Sequence, residues 1–447
     1  MDEYDDASWI GRTFTSDAGW TLLEDLVAIP DRMAGTDGER DALELTRDAL
    51  ADVGAREARI EPFELQGWER GDSRLLANGE PIRPRRDYVA LPRSPAGSAT
   101  GPLLDLGYGL PDDFEDRAEE IEGSVVMVST TVPDDYDRFI HRREKYYYAV
   151  ERGAAAFLFA NHVEGGLPPT GSVGTEEAPI GDVPALGVSK ELGARLRRER
   201  LGETLSVEVD AEIGRTESGN VLAEIGPQTE EVLVVSSHVD AHDLAEGAMD
   251  NGAGTATVVE VARALAEREG ELETGIRLAC FGSEEVGLVG SGVAAAEFDL
   301  DAIRAVVNVD SNVAGRTLNL AYHGFEGLQT AAETVAGRFD HPVELSETMV
   351  PHSDHWPFVK RGVPGYAISG ETEGRGRGWG HTHADTLDKL ESRNLREQAI
   401  LLAELVVELA REDVEIQRRD TEEIAADLKR DGAAEGMKVT GDWPYGE

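Results

Sequence analysis

The spacing of apolar positions changes several times along the chain, and each change marks an element. Leu22, Leu23, Leu26 and Val27 recur at helical intervals over Asp17 to Ile29, and Pro30 ends the run. Gly38 to Val53 reads as a second amphipathic helix opened by a glycine-rich turn, and Arg59 to Leu65 alternates apolar with polar residues as a half-buried strand does. A stretch rich in proline and glycine from Ala90 to Pro102 then marks a boundary. Beyond it, short β runs at Ser124 to Val128, Ala155 to Phe159, Ala185 to Val188 and Leu205 to Val209 interleave with short helices such as Tyr146 to Arg152, the pattern of a separate small domain.

From Asn220 onward strand and helix alternate. The predicted order is a strand at Val232 to Ser236, a helix at Thr255 to Arg268, a strand at Ile276 to Phe281, an Ala/Val-rich helix near Val293 and a strand at Ala305 to Val309. A helix at Leu328 to Phe339, a strand at Gly365 to Ser369 and a helix at Leu395 to Arg411 follow. Such alternation predicts an α/β fold with a mainly parallel central sheet flanked by helices, split by a smaller β-rich insertion. The boundaries expected are 1–96 for the first part of the main domain, 97–213 for the insertion, 214–412 for the rest, and 413–447 for a charged tail with one peripheral helix. No internal repeat is visible.

Composition narrows the class. The 447 residues hold 43 Lys+Arg against 88 Asp+Glu, a formal net charge of -45. That excess of acid argues against nucleic acid and against an anionic membrane surface as partners. No apolar run approaches the roughly 18 to 20 residues a spanning helix needs. Only six of the basic residues are Lys, and the acids are spread along the whole chain, which predicts a halophilic surface whose self-repulsion needs concentrated counterions. A disordered acidic chain is the rival reading, and 40% hydrophobic residues in clear periodicities oppose it. The single cysteine, Cys280, excludes an internal disulfide, and the acidic start Met1-Asp2-Glu3-Tyr4-Asp5-Asp6 has no signal-peptide character, so a cytoplasmic protein is expected.

In an open α/β sheet, ligands bind beyond the carboxyl ends of the strands, so the residues that follow each predicted strand carry the chemistry. Those positions are His238-Val239-Asp240, Glu284-Glu285, Asp310 and, through a Gly/Arg-rich loop, His381-Thr382-His383-Ala384-Asp385-Thr386. Asp250-Asn251-Gly252-Ala253-Gly254 places a further carboxylate at a helix entry on the same edge. Any one of these is common as a turn or a solvated face. Their recurrence at successive strand ends supplies the ligand types for a pair of divalent metals, taken as Zn²⁺.

The ordered set His238-x-Asp240, Asp250-Asn251-Gly252, Glu284-Glu285, Asp310, Ser353-Asp354-His355 and His381-Thr382-x-x-Asp385-Thr386 resembles the M28 family of two-zinc metallopeptidases. The likeness runs over about Arg32 to Arg411. The insertion resembles a protease-associated (PA) domain, on Gly123-Ser124-Val125-Val126-Met127-Val128, Ala149, Gly153-Ala154-Ala155 and Val183-Pro184-Ala185-Leu186. The resemblance implies a phosphorylase/hydrolase-like fold in which Asp250 bridges both metals, Glu285 and His381 complete one site, and His238 and Asp310 complete the other. It also implies Glu284 as the general base and a cis peptide after Asp250.

Physical arguments agree with these assignments. Two metals roughly 3.5 to 4 Å apart need one shared carboxylate. Adjacent Glu284 and Glu285 point in different directions on extended backbone, so one can bind metal while the other faces water. Asp240 and Asp385 are placed to orient the imidazoles of His238 and His381. His355 stands between a transition-state role and a buried loop histidine. His383 breaks the family's spacing, and His242, His323, His341, His352, His141 and His162 read as structural or surface residues.

The function expected is an exopeptidase with two zinc ions per subunit, an aminopeptidase acting on peptides. Carboxypeptidase, dipeptidase or amidohydrolase chemistry on the same site is the alternative, for which Arg375 and Arg377 would supply a carboxylate clamp. A non-catalytic binding protein of the same fold predicts lost ligands, and a relative resembling glutaminyl cyclases predicts one metal. Homo-oligomerisation is left open.

Overall fold

The computed structural model describes residues 7–371 and 378–446. It divides into two compact units, one of Met1–Leu65, Thr216–Gly380 and Asp385–Ile424, the other of Gln66–Arg215, His381–Ala384 and Ala425–Glu447. Two long strands, Arg56–Ala77 and Thr204–Ile225, contribute residues to both. Arg375 and Arg377 lie outside the described residues.

The first unit is built on a mixed sheet. Four parallel strands form its centre in the order Gly365–Gly370, Ile303–Val309, Val232–His238, Gly275–Phe281. Val221 to Ile225 pairs antiparallel on the Gly275–Phe281 side. On the other side lie Leu318–Ala321, antiparallel to its neighbour, and Val343–Ser346. The central strands read as near-continuous Val/Ile/Leu runs because both faces are covered. Chain order reverses around Val232–His238, whose two neighbours are the next two central strands, and this is the switch point at which open α/β sheets bind ligands. Register aligns the strand ends: His238 lies opposite Phe281, and Ser236 opposite Asn308, so Glu284, Glu285 and Asp310 emerge near His238.

Helix Ala253–Glu267 lies against these strands and is covered in turn by Ser392–Leu409 and Ala18–Ala28. It is apolar on nearly every side, as a helix buried between a sheet and other helices must be. A separate apolar cluster joins Val234 and Val306 of the sheet to Ala294, Ala295 and Phe358. Helix Asp37–Asp52 begins at Thr36, whose hydroxyl accepts from the Glu39 N–H at 3.2 Å. Among the elements that escape the sequence patterning are helix Ser8–Phe14, the short helix Trp356–Val359 and the two short outer strands Leu318–Ala321 and Val343–Ser346.

The second unit carries its own β structure. Parallel strands Val125–Ser129, Ala156–Ala160 and Ala185–Val188 continue from Leu103 to Asp105, with Tyr88–Ala90 closing the far edge antiparallel. Leu158, Leu186 and Val188 pack with Leu192 and Leu196 of helix Lys190–Glu199, while Val126, Phe157 and Phe159 pack with Tyr146 and Ala149 of helix Arg142–Glu151. Ser189 caps the first of these helices, accepting from the Leu192 N–H at 3.1 Å. Asn78 and Gly79, both at positive φ, make the two-residue turn joining Leu76 and Ala77 to Glu80–Pro81. The chain past Glu412 forms two helices, Thr421–Arg430 and Ala433–Val439, where the pattern predicted one. Among the described residues no helix is long and apolar enough to cross a membrane.

Candidate metal centre

His238 ends its strand with 1% of its surface exposed. Its Nδ1 stands 3.1 Å from the main-chain carbonyl of Asp240, which can only accept, so Nδ1 donates there and Nε2 is the nitrogen left to face the acids and a metal. That Nε2 makes no hydrogen bond and faces Asp250 Oδ1 at 3.3 Å and Asp310 Oδ1 at 3.7 Å. The donor atoms of His238, Asp250 and Asp310 all lie within 4.8 Å of one another. Ligand atoms held about 2.0 to 2.1 Å from a tetrahedral zinc stand roughly 3.3 Å apart, so one imidazole and two carboxylates at these separations fit the ion. Burial lowers the affinity of His238 for a proton, but Glu284, Asp240, Asp250 and Asp310 outweigh it and hold the pKa well above the ordinary value. Divalent cations would offset the same crowding of negative charge.

Asp250 is presented by a short irregular turn between Gly247, at φ 56°, and helix Ala253–Glu267. The Asp250-Asn251 peptide bond is cis. Asn251 locks the turn: its Nδ2 donates to the Val309 carbonyl at 2.9 Å, and its Oδ1 accepts from the N–H groups of Gly254 at 3.0 Å and Ser311 at 3.2 Å. Asp310 is held by Ser353 Oγ, donating at 2.9 Å, and by Ser311 Oγ at 3.1 Å. Behind Ser353 a buried relay continues, with Asn308 Nδ2 donating to Ser353 Oγ and Ser236 Oγ donating to Asn308 Oδ1, both at 2.8 Å.

Asp240 and Asp385 both act on backbone. Asp240 is fully buried and accepts from the N–H groups of Glu284 at 2.9 Å and Glu285 at 3.1 Å, one on each oxygen. Its carboxylate is 3.5 Å from His238 Nδ1, so the imidazole is oriented chiefly by the Asp240 carbonyl. Asp385 accepts from Met249 N–H at 2.7 Å and Asp250 N–H at 3.1 Å. Burial, with Asp250 adding, pushes the Asp385 carboxyl up to about 7 against the pull of the two N–H groups and Arg32.

Glu285 is buried and its Oε2 lies 2.9 Å from His242 Nε2. His242, read from sequence as structural, thus places a ring nitrogen beside Glu285, and these could be donors to one ion. Its signal was the spacing His238-x-x-x-His242 on the loop that leaves the central strand. Glu284 is only partly buried, beside its buried neighbour. Burial, with Glu285, Asp354 and Asp310 adding and His238 opposing, raises its pKa well above the ordinary value. Asp354 is fully buried, and burial pushes its carboxyl up to about 7, with Asp240 and Asp310 reinforcing while His238 opposes.

His355 donates from Nε2 to the Val350 carbonyl at 2.7 Å and stacks on His323, with ring centroids 4.7 Å apart. These contacts match the buried-loop alternative, and the residue of this motif that touches a metal-site carboxylate is Ser353. His381 sits at φ 56° in the 381–384 segment of the second unit, where its carbonyl accepts from Thr170 N–H at 2.8 Å.

The comparisons with known proteins follow the same division. Residues 220–406 match the model for peptidase family M28, and residues 99–196 match the PA domain model. The chain is 26% identical over 404 residues to aminopeptidase YwaD of Bacillus subtilis, covering 86% of this chain and 83% of that protein. It is 22% identical over 408 residues to human carboxypeptidase Q, covering 86% and 82%. Among solved structures, the peptidase M28 precursor of Shewanella amazonensis superposes with a TM-score of 0.76 at 22% identity, covering 92% of this chain and 97% of that one. BSAP, a zinc aminopeptidase from Bacillus subtilis, gives a TM-score of 0.68 at 22% identity, covering 88% and 94%. With the fold and the switch-point site in agreement, residues 220–406 match peptidase family M28 and residues 99–196, earlier in the chain, match a PA domain.

Proposed function

We propose that this protein is a zinc-dependent exopeptidase that removes N-terminal residues from peptides. The observation that carries the reading is the presence of two donor groups, His238 with Asp250 and Asp310, and Glu285 with His242, with the more open Glu284 next to Glu285 in sequence. His238, Asp250 and Asp310 would hold one ion. Glu285 with His242 would hold the second, to which the sequence motif also assigns His381, giving two ions per subunit. Zinc in such a site polarises a carbonyl and makes a bound water more acidic.

The chain's own residues do the rest. Glu284 accepts a proton from the attacking water as its oxygen bonds to the scissile carbonyl carbon, and returns that proton to the amine nitrogen as the C–N bond breaks. Asp240 keeps Glu284 and Glu285 in register for their separate tasks by gripping both backbone N–H groups. The abundance of carboxylate around the site suits a free terminal amine better than a terminal carboxylate.

Glu284→Gln tests the mechanism: it should bind zinc as the parent does and lose about 10² to 10⁴ in kcat. Turnover near the parent rate would refute the assignment. Likeness to carboxypeptidase Q keeps a second mode of cleavage in play. Assaying an amino-acid anilide beside an N-blocked dipeptide separates the two, and turnover of the blocked substrate alone would overturn the aminopeptidase reading. We also read the charge of -45 as adaptation to concentrated salt, and the lone cysteine, Cys280, buried with its thiol pushed up to about 12 by desolvation, as suited to the cytoplasm.

A further inference from the structure

The N-terminal segment that precedes helix Asp37–Asp52 lies outside residues 220–406, yet one of its side chains reaches the loop that delivers the metal ligands. Arg32 is 2% exposed. Its Nη1 donates to the Val239 carbonyl at 3.2 Å, and its Nη2 donates to the carbonyls of Glu246 and Gly247, both at 2.7 Å. Its own carbonyl accepts from the Ala241 N–H at 3.0 Å. The loop gripped in this way starts next to His238, carries His242 and ends three residues before Asp250.

We propose that Arg32 is a positioning residue for the metal centre, setting the path of loop 239–247 so that His238, His242 and Asp250 meet the ions together. This rests on the M28 reading of the site. Three features support it. A planar guanidinium offers several donors in a fixed fork, so it can span carbonyls at both ends of the loop, where a lysine ammonium is a single point. Gly247 is at φ 56°, and a Cβ there would come within 2.3 Å of Ala241 Cβ and 2.6 Å of Arg32 Nη2, so the glycine leaves room for the loop and the guanidinium to pack together. The carboxylates that favour the charge of Arg32 are Asp385 and Asp240, which grip the N–H groups of Asp250 and of Glu284 and Glu285. One buried cation thus sits among the acids that hold both halves of the centre. The far end of the loop is tied independently, with Glu246 Oε2 accepting from the Leu387 N–H at 2.7 Å.

The test is zinc affinity, measured on the full chain in high salt by competition with a chromogenic chelator, well below the unfolding midpoint of each variant. Arg32→Lys keeps the charge and loses the fork; Arg32→Met removes both. A support for the ligand loop predicts that Arg32→Lys needs at least about tenfold more free zinc for half-saturation, in line with residues that orient metal ligands. A residue that only stabilises the fold would lower the melting temperature of the metal-free protein and leave zinc affinity of the folded protein unchanged. Parent-like half-saturation by Arg32→Lys therefore overturns the proposal, whatever its melting temperature and whether or not Arg32→Met folds. Failure of the parent chain itself to bind zinc stoichiometrically would instead overturn the metal-centre reading, and this inference with it.

Discussion

Replacing Asp240 with Asn changes one atom of a fully buried side chain and isolates what its charge does. The carboxylate accepts from the Glu284 N–H at 2.9 Å and the Glu285 N–H at 3.1 Å. Asn can accept only one of these and must turn its amide N–H groups toward the other. A hydrogen bond to a charged group contributes about 1.5 to 3 kcal/mol, and a buried N–H left without an acceptor costs about as much. In the metal-free protein the loss is partly offset, because removing Asp240 relieves its repulsion of Glu39 and Asp354, while its attraction to Arg32 and His238 is given up as well. With zinc bound that repulsion is already neutralised and no offset remains. The destabilisation should therefore be larger in the zinc form than in the chelated form by about 1.5 to 3 kcal/mol, which corresponds to roughly ten- to a hundredfold in zinc affinity. The assay is calorimetric melting of both proteins with excess zinc and with chelator at fixed high salt, alongside kcat. The zinc-induced rise in melting temperature should shrink in Asp240→Asn while the chelated forms melt closer together. Equal zinc-induced rises in the two proteins, with unchanged kcat, would refute the idea that Asp240 holds the Glu284–Glu285 turn for the ions.

Three other outcomes follow from the structure. His242→Ala should lower the zinc bound per chain measured by elemental analysis toward one, and a variant that still holds two would remove His242 from the centre. Glu39, whose Oε1 accepts from Ser283 N–H at 2.7 Å, has its pKa raised to about 8 by burial and by Asp240. The folded state then keeps a proton that the unfolded chain gives up above about 4.5, so stability falls as pH rises from 4.5 toward 8. Melting of the chelated protein across this window should show the fall, to which Asp354 and Asp385, raised to about 7, add, and Glu39→Gln should make it shallower; parallel curves would refute the part assigned to Glu39. Lowering salt from about 2 M to about 0.1 M lengthens the screening distance from under 3 Å to about 10 Å and should lower the melting temperature by self-repulsion, and a melting temperature that rises on dilution would contradict the charge argument.

Much of the site could be read along the chain because its donors follow strands. Apolar runs locate Val232–His238, Gly275–Phe281 and Ile303–Val309, and the histidine and carboxylates at or within four residues of each run's end are His238, Glu284-Glu285 and Asp310. His242 gave no such signal, since it sits mid-loop, where position is set by contacts rather than by periodicity. The short strands Leu318–Ala321 and Val343–Ser346 carry too few residues to establish an alternation, and their pairing with distant neighbours defines them.

Sequence alone determined the order of elements, the residue types available at the switch point and the excess of negative charge, because these depend on local periodicity and composition. Tertiary structure decided what each carboxylate touches. Asp240 was expected against the imidazole of His238, which it does approach at 3.5 Å, but its hydrogen bonds, like those of Asp385, go to backbone N–H groups, among them ones 44 and 136 residues away. Arg32 and Glu39 reach carbonyls and N–H groups more than 200 residues along the chain. A buried charge must find its partners wherever folding places them, and only the folded chain brings those partners within hydrogen-bonding distance.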